Sequence, residues 1–132
     1  MIRALALVTL LLAAPVVADA QARRPMSAVD RADKVCGGSN PEILACVAEF
    51  SDREDVRLNR AYQAALARMR SPQRDLLRRE QRQWIRDRDA ECRAELEGGG
   101  SQASIYATLC VLRLTETRAD ELERMARPHR PR

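Results

Sequence analysis

The stretch Gln81-Arg82-Gln83-Trp84-Ile85-Arg86-Asp87-Arg88-Asp89-Ala90-Glu91-Cys92 holds the only tryptophan of the chain and one of its four cysteines. With Leu77 placed before it, Leu77, Gln81, Trp84, Arg88 and Cys92 recur at steps of four, three, four and four. That spacing puts them on one face of an α-helix. A solvated face does not need Trp and Cys, and an ordinary core face does not carry Arg88. The expectation is a central strut of a bundle, with the rest of the chain packed around it.

Working outward, the following Gly98-Gly99-Gly100 terminates this helix and permits a tight reversal. Ser101 or Ser104 then caps a last helix with Ile105, Leu109, Cys110, Leu112, Leu114, Leu122 and Met125 as its apolar residues. Upstream, Ser71-Pro72 marks the start of the strut helix, which should run from Pro72 to Leu96. Before it, Asp55, Leu58, Asn59, Tyr62, Leu66 and Met69 again share a helical face. A short helix after Pro41, capped by Ser39 or Asn40, carries Ile43, Leu44, Cys46, Val47 and Phe50. Ser51-Asp52-Arg53-Glu54 has capping-box spacing, so a new helix starts there or the first continues with a bend. No segment alternates with the period of a strand. The fold class is all-α: a small antiparallel bundle of three to four helices.

The N-terminus is expected to be an address rather than structure. Met1-Ile2-Arg3 is followed by an Ala/Leu/Val run to Val17 and by Ala18-Asp19-Ala20, the three-part pattern of a secretory signal peptide cleaved near Ala20. The run is too short to span a bilayer, and no cysteine follows the cleavage region to carry a lipid anchor. Residues 21–34 then read as a flexible leader, 35–127 as one helical domain, and 128–132 as a disordered basic tail. The exported product is expected in the periplasm or the medium, without stable membrane insertion.

Four cysteines in a small exported chain read as two disulfides. Three pairings exist. Cys36–Cys46 with Cys92–Cys110 is favoured because each closes a local loop without any assumption about topology, at about 2–4 kcal/mol apiece. A zinc site lacks a close Cys pair, and the single histidine, His129, lies in the Pro/Arg tail. No metal or cofactor is therefore expected. The net charge of +4 comes from interspersed acids and bases, with arginine outnumbering lysine 22 to 1. Without a basic block interleaved with aromatics, and in an exported chain, nucleic acid is not an expected partner.

Asp55, Asn59, Gln81, Arg88 and Arg118 stand in line with core residues of their helices. A buried arginine must be paired and hydrogen-bonded. The expected arrangement is a network in which Asp55 or another carboxylate pairs with Arg88 or Arg118, Asn59 and Gln81 satisfy the remaining groups, and helix register is set. No carboxylate is singled out by its setting and no histidine lies in the folded region, so no catalytic residue is assigned.

Taken together, Cys36, Cys46, Asp55-x2-Leu58-Asn59-x2-Tyr62, Gln81-x2-Trp84-x3-Arg88-Asp89-x2-Cys92, Gly99-Gly100-Ser101 and Cys110-x4-Thr115-x2-Arg118-x3-Leu122 resemble the LprI-type domain over about Cys36 to Met125. These are small secreted or lipid-anchored bacterial proteins named after a mycobacterial lysozyme inhibitor. The resemblance implies a non-enzymatic protein that binds lysozyme and protects peptidoglycan, or an envelope module with another protein partner. It also implies a structural role for the motif residues Asp55, Leu58, Asn59, Tyr62, Gln81, Trp84, Arg88, Asp89 and Arg118. The chain departs from the namesake in lacking a lipidated cysteine and in its positive charge, which does not steer it toward a basic lysozyme. The nearest thing to an acidic surface follows Asp87 and Asp89: Glu91, Glu95 and Glu97, beside Gly99, Gly100 and Ser101, with Arg86, Arg88 and Arg93 interrupting it.

Overall fold

A computed structural model describes residues 25–128. The expected signal segment, residues 21–24 of the leader, and tail residues 129–132 lie outside the described residues. Four helices and no strands are found within them: α1 (Ala28–Val35), α2 (Asn40–Arg68), α3 (Ser71–Glu97) and α4 (Ala103–Ala126). Disulfides join Cys36 to Cys46 and Cys92 to Cys110.

The leader is where the expectation needs correction. From Ala28 it is helical, and the reason lies in two alanines rather than in large apolar residues. Ser27 Oγ caps α1 by accepting from the Asp30 amide at 3.0 Å, while Asp30 and Lys34 sit at the ends that the helix dipole favours. Ala28 and Ala32, one turn apart, are both fully buried. Their small side chains let α1 lie against α2 and α4, where Val47 and Leu112 complete a small core. Eight residues do not hold a helix in water alone. Packing and the Cys36–Cys46 bridge at its end do.

Only one helix covers residues 40–68. Ser51 does not cap anything; it is buried inside α2. The buried row of α2 is Val47, Ser51, Glu54, Leu58, Ala61 and Ala65, at steps of four and three, so the same stripe continues unbroken through the point where a new start was expected. The cap is Ser39, whose amide and hydroxyl donate to the Glu42 carboxylate at 2.8 and 2.6 Å. At the head of α3 the cap is Arg70 rather than Ser71, with the Gln73 side chain accepting from its amide at 3.2 Å.

The strut of the bundle is α4, not α3. α4 packs against each of the other three helices, most extensively against α2, and α2 and α3 meet chiefly through it. Its buried residues, including Cys110, Leu112, Thr115, Arg118, Ala119 and Leu122, face more than one direction. By contrast α3 buries only Leu77, Gln81 and Cys92, and Trp84 is half-buried against the Leu58–Leu77–Leu122 core. Met125 is mostly exposed. Consecutive helices α2, α3 and α4 run antiparallel. α2 and α4 are consequently parallel, as the contacts Asn40 to Ser101 near their starts and Arg68 to the Ala126 carbonyl at their ends record.

Candidate functional site

Around Trp84 the bundle places two arginine side chains, each nearly buried. Arg88, with its side chain 13% exposed, bonds the Thr115 hydroxyl at 3.1 Å and lies 3.3 Å from Asp55 and 2.9 Å from Asp89. Arg118 donates through Nε to the Gln81 carbonyl oxygen at 3.0 Å and pairs with Glu121 at 2.9 Å. Both guanidinium carbons stand over the Trp84 ring, 5.2 and 6.0 Å from its centroid. A weakly hydrated planar cation over an aromatic face is the arrangement that lets arginine leave water at tolerable cost.

Asn59 does not join this cluster. It is exposed and bonds to no described residue, because its position on α2 is one step outside the buried Glu54–Leu58–Ala61 row. The partner that sequence reasoning missed is Thr115, fully buried. Its signal was a hydroxyl residue three before Arg118 and three after Leu112, on the face that α4 turns toward α3.

Asn59 instead belongs to an open groove between α2 and α3, about 350 Å³ in volume. The groove exists because these two helices touch mainly through α4. Leu58 and Gln81 line its depth, Asn59 and Tyr62 come from α2, and Arg78, Arg82 and Ile85 come from α3. The Asp55–Arg88 pair closes one end. Six of the motif residues thus fall in or beside it.

At the far end of α3 lies the acidic turn. Gly99 and Gly100 adopt φ of +66° and +87°, the left-handed region that costs other residues about 1–2 kcal/mol. Ser101 does not cap α4, whose first cap position is Gln102. Its hydroxyl accepts from Asn40 Nδ2 at 2.9 Å, tying the turn to the head of α2. Glu91, Glu95 and Glu97 are exposed. Glu91 lies 3.4 Å from Arg113, whereas Glu95 and Glu97 pair with no described residue. No basic residue occupies the last turn of α3, so these carboxylates sit unneutralised at the negative end of the helix dipole. A shallow apolar strip beside them is formed by Leu96, Ala107 and Val111.

A second charged cluster, unforeseen in the sequence, holds α1, α2 and α4 together. Arg57 donates to both Glu123 oxygens at 2.7 and 2.8 Å, to Glu54 at 3.1 Å, and to Asp120. Its hydrogen bonds to Glu123 lead in holding the guanidinium well above its usual range, against the opposing effect of burial. The same bonds hold the Glu123 carboxyl below its ordinary value. Glu54, buried, also lies 3.8 Å from Arg31 of α1, and the Ala28 amide donates to Glu116 at 2.8 Å. The clue was Glu54 itself, a carboxylate inside a four-three apolar row. Among the described residues no cluster of metal-ligating side chains occurs, and no helix is long and apolar enough to cross a membrane.

The family model described as Lysozyme inhibitor LprI matches residues 33–122, from the end of α1 to the last turns of α4. No curated protein and no solved structure matches the chain.

Proposed function

The chain belongs to the LprI family, and from that premise we propose that it is an exported, non-enzymatic protein that binds lysozyme and shields peptidoglycan from it. The observation that carries the reading is the family match across most of the bundle. The signal-like residues 1–20 and the two disulfides support an oxidising, extracytoplasmic location. Arg57 and Glu123, the groups with the most perturbed settings, direct their hydrogen bonds to each other even though Arg57 lines an open cavity beside α1, and a saturated ion pair suits a binding protein better than a hydrolase.

The contact surface we assign is the acidic turn: Glu91, Glu95 and Glu97 with Gly99, Gly100 and Ser101. Unneutralised carboxylates at a helix C-terminus cost local stability, and a basic partner would recover it. A second reading, an envelope interaction module with another protein partner, is favoured by the net charge of +4, which opposes long-range attraction to a basic enzyme.

Turbidity separates the two. Cells exposed to lysozyme should clear more slowly when the oxidised protein is present at micromolar concentration. Glu95→Gln with Glu97→Gln should weaken that protection without lowering stability. Equal clearing with and without the protein, across lysozymes of different classes, would leave the second reading.

A further inference from the structure

The α2–α3 groove carries donors that the bundle itself does not use. Gln81 is 7% exposed, and its carbonyl oxygen is taken by Arg118. Its amide NH2 donates to no described residue. Yet no fully buried side-chain nitrogen or oxygen among the described residues lacks a partner, so this NH2 opens into the groove that Gln81 lines.

Opposite it, the Asn59 amide and the Tyr62 hydroxyl are likewise unbonded within the described residues. Of the three groove arginines, Arg78 is held by Asp75 at 2.9 Å and Arg88 by Asp55 at 3.3 Å. Arg82 pairs with no carboxylate among the described residues. Leu58, the Tyr62 ring and the partly exposed Ile85 supply an apolar surface between these polar groups.

The chemistry of an occupant follows from that inventory. A free guanidinium calls for an anion, and a planar carboxylate fits its donor fork. Two neutral amides lining the groove from its opposite walls match an amide group, which both donates and accepts. The one groove carboxylate, Asp55, is already engaged by Arg88, so a cation has no unpaired acid to meet. A volume of about 350 Å³ is at the small end of ligand pockets, roughly 300–1,000 Å³. We propose that this groove binds a small N-acylated carboxylate, with its carboxylate on Arg82, its amide between Asn59 and Gln81, and its acyl or alkyl part over Leu58, Tyr62 and Ile85.

The probe is N-acetylmuramate, with N-acetylglucosamine as the counterpart that keeps ring and acetyl group but lacks the carboxylate. Amide NMR spectra of the oxidised chain are titrated with each. The expected result is saturable shifts concentrated in residues 55–62 and 78–88 with the first sugar and none with the second. Arg82→Ala should weaken the response about ten-fold, the loss of one charge-assisted contact, and Asn59→Ala by a smaller factor. Both positions are exposed, so both variants keep the fold, which the remaining spectrum verifies. Absence of saturable groove shifts, an equal response to the two sugars, or a response unchanged in Arg82→Ala would each overturn the proposal. It stands whatever the partner of the acidic turn is, since lysozyme protection is read in a different assay and from different residues.

Discussion

Replacing Arg118 by methionine tests whether the cluster under Trp84 is a coupled unit. Methionine keeps most of the volume and the unbranched shape, so cavity effects stay small. What disappears is the donor to Gln81 Oε1, at 3.0 Å and inside the bundle. Stranding a buried acceptor costs about 1–3 kcal/mol. Loss of the Glu121 pair adds little, because that carboxylate is 40% exposed and turns to water. Loss of the contact with the half-buried Trp84 adds about 0.5 kcal/mol. Against these, no cation need be desolvated. The expected net cost is about 2 kcal/mol. Gln81→Met alone strands the guanidinium Nε and should cost about 1–2 kcal/mol. The double variant removes donor and acceptor together and should cost no more than about 1 kcal/mol relative to the parent, giving a coupling energy of about 2–3 kcal/mol. Urea unfolding of the four oxidised proteins, with unchanged m-values, supplies the cycle. A cost below about 0.5 kcal/mol for Arg118→Met, or additivity within about 0.3 kcal/mol, would refute the reasoning.

The other predictions concern the staples, the acid limb and the turn. Removing either disulfide by paired Cys→Ser changes should cost about 3 kcal/mol. Cys92–Cys110, which spans 18 residues against 10, should lead by about half a kcal/mol on loop entropy; a urea midpoint unmoved by either change would contradict this. Glu123 and Glu42 have folded-state pKa values below the ordinary 4.5, held down chiefly by hydrogen bonds from Arg57 and Ser39. Their stabilisation is therefore complete above pH 4.5 and lost as pH falls through the lower folded-state values. Thermal melts should show Tm dropping below about pH 4.5, and Glu123→Gln should lower Tm at neutral pH while flattening that acid limb. Gly99→Ala should cost about 1 kcal/mol purely through backbone conformation, since a Cβ there meets nothing within 4 Å; a neutral substitution in urea unfolding would show that the turn relaxes.

Helix existence was legible because capping and turn residues punctuate the chain: Ser39, Pro72 and the three glycines all lie within a few residues of observed helix ends. Spatial rank was not. Trp84 drew the eye to α3 as the strut, yet a large aromatic can cover a core from its rim, as it does here. The better indicator was α4, where Ile105, Leu109 and Leu112 form one stripe while Cys110 and Leu114 lie well off it, as a helix with neighbours on several sides requires. Likewise α1 escaped because alanine registers weakly in any hydrophobic count, although the absence of side-chain bulk is what lets Ala28 and Ala32 sit fully buried.

The same distinction divides the polar motif residues. Gln81 and Arg88 are inside because α4 covers them, and Arg118 because it lies on the face α4 turns toward α3, whereas Asn59, one position off the buried row of α2, is left facing water. Sequence spacing alone placed all of them on apolar faces, since a step of four from Asp55 and a step of one from Leu58 are both compatible with a helix stripe. Only the observation that α2 and α3 meet chiefly through α4 opens a groove there. If Asn59 served register alone, it would need a partner on another helix. Its side chain has none among the described residues, so its value to this fold has to be sought in what enters the groove.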